Sequence, residues 1–233
     1  MKPHSSLPES ISAFLSHCKR KVVRAKSDLA HAGEPADSLM YLLKGSVSII
    51  IEDEEGHEII LAYLNRGDFI GEMGLFSKER VPTRSWRVRA RTECEVAEIP
   101  YSKLEALFEG ALRDHTRSLL YAIGHQLSTR LLNTSRKVGH LAFLDVTGRI
   151  AGTLLDLCRQ PDAMSHPDGV QIRITRQELG RIAGCSREMA GRVLKNMEEQ
   201  GLLWMHGKNI VIFNRNEETL ALPIPPSSTG YPQ

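Results

Sequence analysis

From Leu120 to Leu141 the chain repeats one position at a spacing of four, three, four, three: Leu120, Gly124, Leu127, Leu131, Thr134, Val138 and Leu141. This heptad seam constrains the fold more than any other feature. A helix that keeps a seven-residue repeat carries one stripe along its whole length, and that stripe asks for a partner helix. The run from Ala111 to Leu144 holds no proline and is predicted to be one long helix. Left on a monomer, the stripe would lie in water. The spacing therefore predicts a parallel dimer, against the plainer reading of a long helix packed on its own domain. Thr134 is the polar exception, and a polar residue in a seam can set its register.

Before the seam the period is that of strands. "SVSIII" leads through "EDEEGHE" into "IILAYL", a hairpin with Gly56 in its turn. In "WRVRART", Trp86, Val88 and Ala90 alternate with Arg87, Arg89 and Arg91, and "CEVAEI" follows. Many short strands separated by turns predict a small antiparallel barrel or jelly roll.

After the seam Asp145 can cap a helix through "VTGRIAGTLLDLC", and "RQPDAMSHPDG" reads as a loop. Thr175 and Glu178 then form a capping box, Gly184 can take the positive φ that ends a helix, and Ser186 can cap the next. Two short helices joined by so brief a break make a helix-turn-helix. On a wheel of about 100° per residue starting at Arg187, the residues Gly191, Lys195, Glu188 and Arg192 fall within roughly 140°. Met189, Ala190, Val193, Leu194 and Met197 fall on the other side. One face anchors the helix and the other is polar. Arg can donate twice to guanine and Glu can accept from cytosine, near the helix start where recognition helices meet bases. A solvated amphipathic helix is the plainer reading. "LLWMHGKNIVIF" adds a hairpin turning at Gly207-Lys208, the wing of a winged helix, with Lys208 as a phosphate contact.

Net charge is +2, which decides nothing about nucleic acid, but between Gln171 and Lys195 six Arg or Lys face two Glu. The cysteines Cys18, Cys94, Cys158 and Cys185 share no metal-ligand spacing. With no segment of signal-peptide type, free thiols in a reducing cytoplasm are expected. No apolar run is long enough to span a bilayer.

The segment "GDFIGEMGLFSKERVPTRSW", Gly67 to Trp86, supplies glycines that let backbone N–H groups approach an anion. Glu72 could accept from a ribose hydroxyl, and Arg84 and Ser85 could hold a phosphate. It reads equally as a glycine-rich loop beside a surface arginine, and without a ligand Arg84 is expected to be only a surface cation.

Four blocks, "YLNRGDFIGEMGLF", "KVGHLAFLDVTGRIAGTLLDL", "QPDAMSHPDG" and "ITRQELGRIAGCSRE", resemble the cyclic-AMP receptor protein (catabolite activator protein) family of bacterial transcription regulators, close to its virulence-factor-regulator type. The likeness runs from about Phe14 to Phe213. It implies an α+β chain: an N-terminal cyclic-nucleotide-binding barrel (residues 1–110), a long dimerisation helix and hinge (111–144) and a winged helix-turn-helix (145–214). A tail (215–233) rich in proline is expected to be disordered. The resemblance places Gly71 and Glu72 on the ribose of cyclic AMP and Arg84 and Ser85 on its phosphate. Thr134 and Ser135 would meet the adenine, one from each subunit. Arg187, Glu188 and Arg192 match base readers of a GTGA-type half-site, with Thr175, Arg176, Ser186 and Lys195 beside them on the DNA face. Lys19, Lys21 and Lys103 fit one RNA polymerase contact patch, and Ser165 and His166 a second. Two departures stand out. Ala62 replaces a serine near the base, and Lys19 and Lys21 replace histidines.

The expected function is a cytoplasmic homodimer that binds double-stranded DNA under cyclic-AMP control and contacts RNA polymerase, with no metal and no membrane. "YAIGHQLSTRLLNTSRK" and "CSREMAGRVLK" also resemble a subgroup in which cyclic di-GMP switches DNA binding off. That subgroup lacks the Arg-Ser pair. A dinucleotide would need a second basic contact, for which Arg130 is the nearest candidate. Two rivals differ further. A ligand-independent DNA-binding protein would have no use for the intact Glu72, Arg84 and Ser85 set. An enzyme built on a metal-binding barrel would need several histidines converging from neighbouring strands, and only His57 lies in the clear hairpin.

Overall fold

The computed structural model describes residues 7–77 and 83–213. The tail expected after Asn214 lies outside them. The chain divides into two compact units, Met1–Ser135 and Arg136–Gln233.

The first unit holds two four-stranded antiparallel sheets. One contains β1 (Lys19–Val23), β3 (Ser38–Lys44), β6 (Phe69–Ile70) and β8 (Cys94–Pro100), in the order β1-β8-β3-β6. The other contains β2 (Asp28–Ala30), β4 (Ser46–Glu52), β5 (Glu58–Asn65) and β7 (Arg87–Ala90), in the order β2-β7-β4-β5. The expected hairpin is β4–β5, with Gly56 at φ +83° in its turn. Val88 and Ala90 point inward from β7, as the alternation requires.

β3 reads "SLMYLLK", apolar without a break from Leu39 to Leu43, because both of its faces are covered. Met40 and Leu42 join Val47, Val88 and Val96 between the sheets. Leu39 and Tyr41 face the helices α1 (Glu9–Leu15), α3 (Tyr101–Glu109) and α4 (Arg113–Phe143). There Phe14, Tyr41 and Phe69 meet edge to face, with centroids 5.0 to 6.5 Å apart.

α4 starts at Arg113, two residues beyond the expected Ala111, because α3 ends at Glu109 and a turn from Gly110 to Leu112 follows. It carries two stripes. Leu119 and Ile123 bury against the first unit's own core, and Leu127 packs partly there too. The seam side stays open, with Leu131, Val138 and Leu141 exposed by 68, 59 and 45%. One face of the helix thus packs on its own unit, and another leaves the seam stripe open.

The second unit packs α5 (Val146–Cys158), α6 (Arg176–Ala183) and α7 (Arg187–Glu199) with a sheet of order β11-β12-β10-β9. Its strands are β9 (Met164–His166), β10 (Gly169–Arg173), β11 (Leu203–His206) and β12 (Asn209–Phe213). Asp145 caps α5 by accepting from the Gly148 N–H at 2.8 Å. The stretch read as a loop contains β9, paired to β10 through Ser165 and Val170. An edge strand with one neighbour needs no apolar alternation, so the sequence did not signal it.

Candidate functional site

The first unit has a cleft of about 1030 Å³ between sheet and helix. Gly71, Glu72, Arg84, Ser85, Arg130 and Thr134 all line it, although they span more than sixty positions of sequence. Ser135 is exposed on α4 and does not line the cleft of its own protomer.

Gly71 sits at φ +91°, and a Cβ there would come within 2.7 Å of the Ser38 carbonyl and 2.8 Å of Arg84 Nη1. Only glycine allows that corner. Glu72 follows at the start of the short helix α2 (Glu72–Leu75) and is 3% exposed. A buried carboxylate requires a partner, and Arg130 of α4 provides it while also donating to the Phe69 carbonyl at 2.6 Å. Arg130 is thus already engaged rather than a spare cation.

Arg84 is half-buried, not a loose surface cation. Its Nη2 donates to the Ser38 carbonyl at 3.3 Å and to Ser38 Oγ at 3.2 Å. Backbone bonds between Arg84 and both Gly33 and Glu34, 2.8 Å each, fix the segment. The Tyr101 hydroxyl donates to the Gly71 carbonyl, and burial pushes its pKa up to about 12 against the pull of Arg84. Ser38, Tyr101 and Gln126 were not found from sequence, because each reaches the site from a distant element with no local signature. Ala62 also lines the cleft.

In the second unit Thr175 Oγ1 accepts from the Glu178 N–H at 3.1 Å, and Ser186 Oγ accepts from the Met189 N–H at 3.2 Å. Gly184 between them has φ +66°. The turn is tight: a Cβ on Gly180 would lie 2.6 Å from the Cys185 carbonyl. Arg149 of α5, also missed from sequence, donates to the carbonyls of Leu144, Ala183 and Gly184.

This frame buries Ala190, Val193, Leu194 and Met197 and exposes Ser186, Arg187, Glu188, Arg192 and Lys195. Arg176 is exposed as well, and its stem crosses Gly191, where a Cβ would meet Arg176 Cδ at 3.4 Å. Thr175 is half-buried in its capping role. The Glu188 carboxyl is held below the usual range, first by its own backbone N–H at the helix start, then by the Ser186 hydroxyl and the charges of Arg187 and Arg192. It is therefore an ionised acceptor at neutral pH. Lys208 is exposed at the hairpin turn, and its carbonyl accepts from the Ile174 N–H at 2.9 Å, which ties the wing to the start of α6.

Lys19 and Lys21 are exposed on the edge strand β1. Lys103 joins them by donating to the His17 carbonyl at 2.8 Å. Ser165 and His166 lie on the edge strand β9. All four cysteines are free thiols. Among the described residues no group of three or more His, Cys, Asp or Glu could hold a metal, and no helix is long and apolar enough to cross a membrane.

The barrel with its cleft and the winged helix-turn-helix define a regulator that joins a ligand module to a DNA-binding module. Comparison agrees. Residues 20–110 match the cyclic nucleotide-binding domain and residues 148–217 the Crp-like helix-turn-helix domain. The chain is 55% identical over 211 residues to the cAMP-activated global transcriptional regulator Vfr of Pseudomonas aeruginosa, covering 90% of this chain and 96% of that one. It is 56% identical over 200 residues to the cAMP-activated global transcriptional regulator CRP of Salmonella typhimurium, covering 86 and 92%. A solved structure of the c-di-GMP responsive global regulator CLP of Xanthomonas campestris shares 50% identity and a TM-score of 0.83, covering 88 and 98%. The chain belongs to the CRP family of transcription regulators.

Proposed function

We propose that the protein is a homodimeric regulator whose binding to a near-palindromic, GTGA-type DNA site is strengthened by cyclic AMP. The single observation that carries this reading is the cleft wall itself. Gly71, Glu72, Arg84 and Ser85 stand together in the wall of that cleft, with Arg84 held in place by its bonds to Ser38. Thr134 supports a coupling to dimerisation, because it lines the cleft and also stands in the exposed seam. A ligand that touches Thr134 favours one register of two α4 helices, and with it one arrangement of the recognition helices. Those helices would read half-sites about 34 Å apart, one DNA turn.

Arg187, Glu188 and Arg192 read bases. Thr175, Arg176, Ser186, Lys195 and Lys208 hold the backbone. The patches Lys19–Lys21–Lys103 and Ser165–His166 contact RNA polymerase, and the protein acts in the cytoplasm. The functional boundaries are residues 1–110, 111–144 and 145–214, so the division between the compact units falls within the dimerisation helix.

The likeness to CLP favours one second reading, release from DNA by cyclic di-GMP. Against it, Arg130 is already paired with Glu72 and bonded to the Phe69 carbonyl. Operator binding followed by fluorescence anisotropy with each nucleotide separates the two. Cyclic AMP should tighten binding and cyclic di-GMP should do little. Release by cyclic di-GMP, with cyclic AMP inert, would overturn the ligand assignment and leave the DNA assignment standing.

A further inference from the structure

β6 is a two-residue strand at the edge of its sheet, paired to β3 through Met40 and Tyr41. The Asp68 carbonyl points to β3 and accepts from the Leu42 N–H at 2.9 Å. Alternation along the strand turns the Phe69 N–H and C=O the other way, toward the place of a missing neighbour strand. Phe69 is 2% exposed, so neither group can be left to water.

Gln126 of α4 fills that place. Its Oε1 accepts from the Phe69 N–H at 2.7 Å, and its Nε2 donates to the Phe69 carbonyl at 2.9 Å. The side-chain amide pairs with the backbone as another strand would. Arg130, one turn further along the same helix face, donates to the same carbonyl and pairs with Glu72. Phe69, Gly71 and Glu72 belong to the segment that forms the cleft wall, and Gln126 lines the cleft. The wall is therefore bonded directly to the helix that carries the seam.

We propose that Gln126 is the positioning residue that links occupancy of the cleft to α4. A nucleotide that shifts the Gly71–Glu72 corner shifts Phe69, and the two-point amide bond passes the shift to the helix. Without it the nucleotide still has its cradle, but the helix responds less. The inference rests on the proposed cyclic-nucleotide function and deepens it.

The test uses the full-length dimer with Gln126→Met, which keeps the side-chain length and loses both bonds. A second variant, Gln126→Asn, keeps the amide but withdraws it by one methylene. For each, nucleotide affinity is measured by calorimetry, and operator affinity is measured with and without saturating cyclic AMP. The ratio of the two operator affinities is the coupling between the sites. The expected result is a ratio lowered about tenfold, on the scale of the lost hydrogen bonds, with nucleotide affinity changed by less than about threefold. Variants that keep the wild-type ratio overturn the inference. If such variants also lose nucleotide affinity, Gln126 is only a wall residue, because an affinity loss common to both states cancels from the ratio. A wild-type protein indifferent to cyclic AMP refutes the proposed function and this inference together, whereas a responsive wild type with responsive variants refutes the inference alone.

Discussion

Arg149→Met is the sharpest test of how the recognition helix is held. Arg149 donates from Nε to the Ala183 carbonyl at 2.8 Å, from Nη1 to Leu144 at 3.1 Å and from Nη2 to Gly184 at 3.3 Å. Ala183 and Gly184 are the last carbonyls of α6, which that helix cannot satisfy from its own N–H groups. Methionine keeps the apolar stem and removes every donor. A hydrogen bond from a charged group contributes about 1.5–3 kcal/mol. Arg149 and Gly184 are half-buried, so water recovers part of that, and the bond to Gly184 is long. The expected loss is about 2–4 kcal/mol for the set. The protein has two tryptophans, and Trp204 lies in the second unit. In a Trp86→Phe background its fluorescence follows that unit alone during urea unfolding. With a slope near 2 kcal/mol per molar urea, the midpoint should fall by about 1–2 M. A shift below about 0.3 M would refute the claim that Arg149 fastens the turn.

Arg84→Leu should leave a folded dimer that no longer responds to cyclic AMP, with about 1 kcal/mol of stability lost through the bonds to Ser38; unchanged nucleotide affinity in calorimetry would sink the pocket assignment. Arg187→Ala should relax preference at one position of each half-site at about 1–3 kcal/mol, whereas Lys208→Ala should weaken all sequences alike and lower the salt slope. Equal, sequence-independent losses in both variants would contradict the recognition-helix assignment. Burial pulls the Lys137 ammonium from 10.5 down to about 8, with Asp156 acting weakly the other way. Between those values the unfolded chain binds more protons than the folded one, so stability should rise with pH from about 8 to 10. Lys137→Met should flatten that rise in the urea midpoint, and an equal slope in the variant would speak against the cause.

The helix-turn-helix and the seam were legible because their signals are local. Thr175 and Glu178, Gly184 and Ser186 each act through bonds that span a few residues, and the caps form where the sequence puts them. The polar arc from Arg187 to Lys195 follows from helical geometry alone once those caps fix the helix. The hairpin around Gly56 was legible for the same reason. By contrast β1, β2 and β9 carried no signal, since short edge strands need little apolar pattern of their own.

By itself, then, the sequence determined the order of the modules, the stripe along the long helix and the exposed polar face of α7, because each follows from periodicity and capping within a short stretch. Only the tertiary structure decided which groups answer one another across the cleft. Gln126 meets Phe69 from 57 positions away, Arg130 meets Glu72 from 58 and Arg84 meets Ser38 from 46. Nothing in the residues beside Gln126 says that a strand edge awaits it. That contact exists because the sheet closes, leaves Phe69 with a buried peptide, and brings α4 within reach of it.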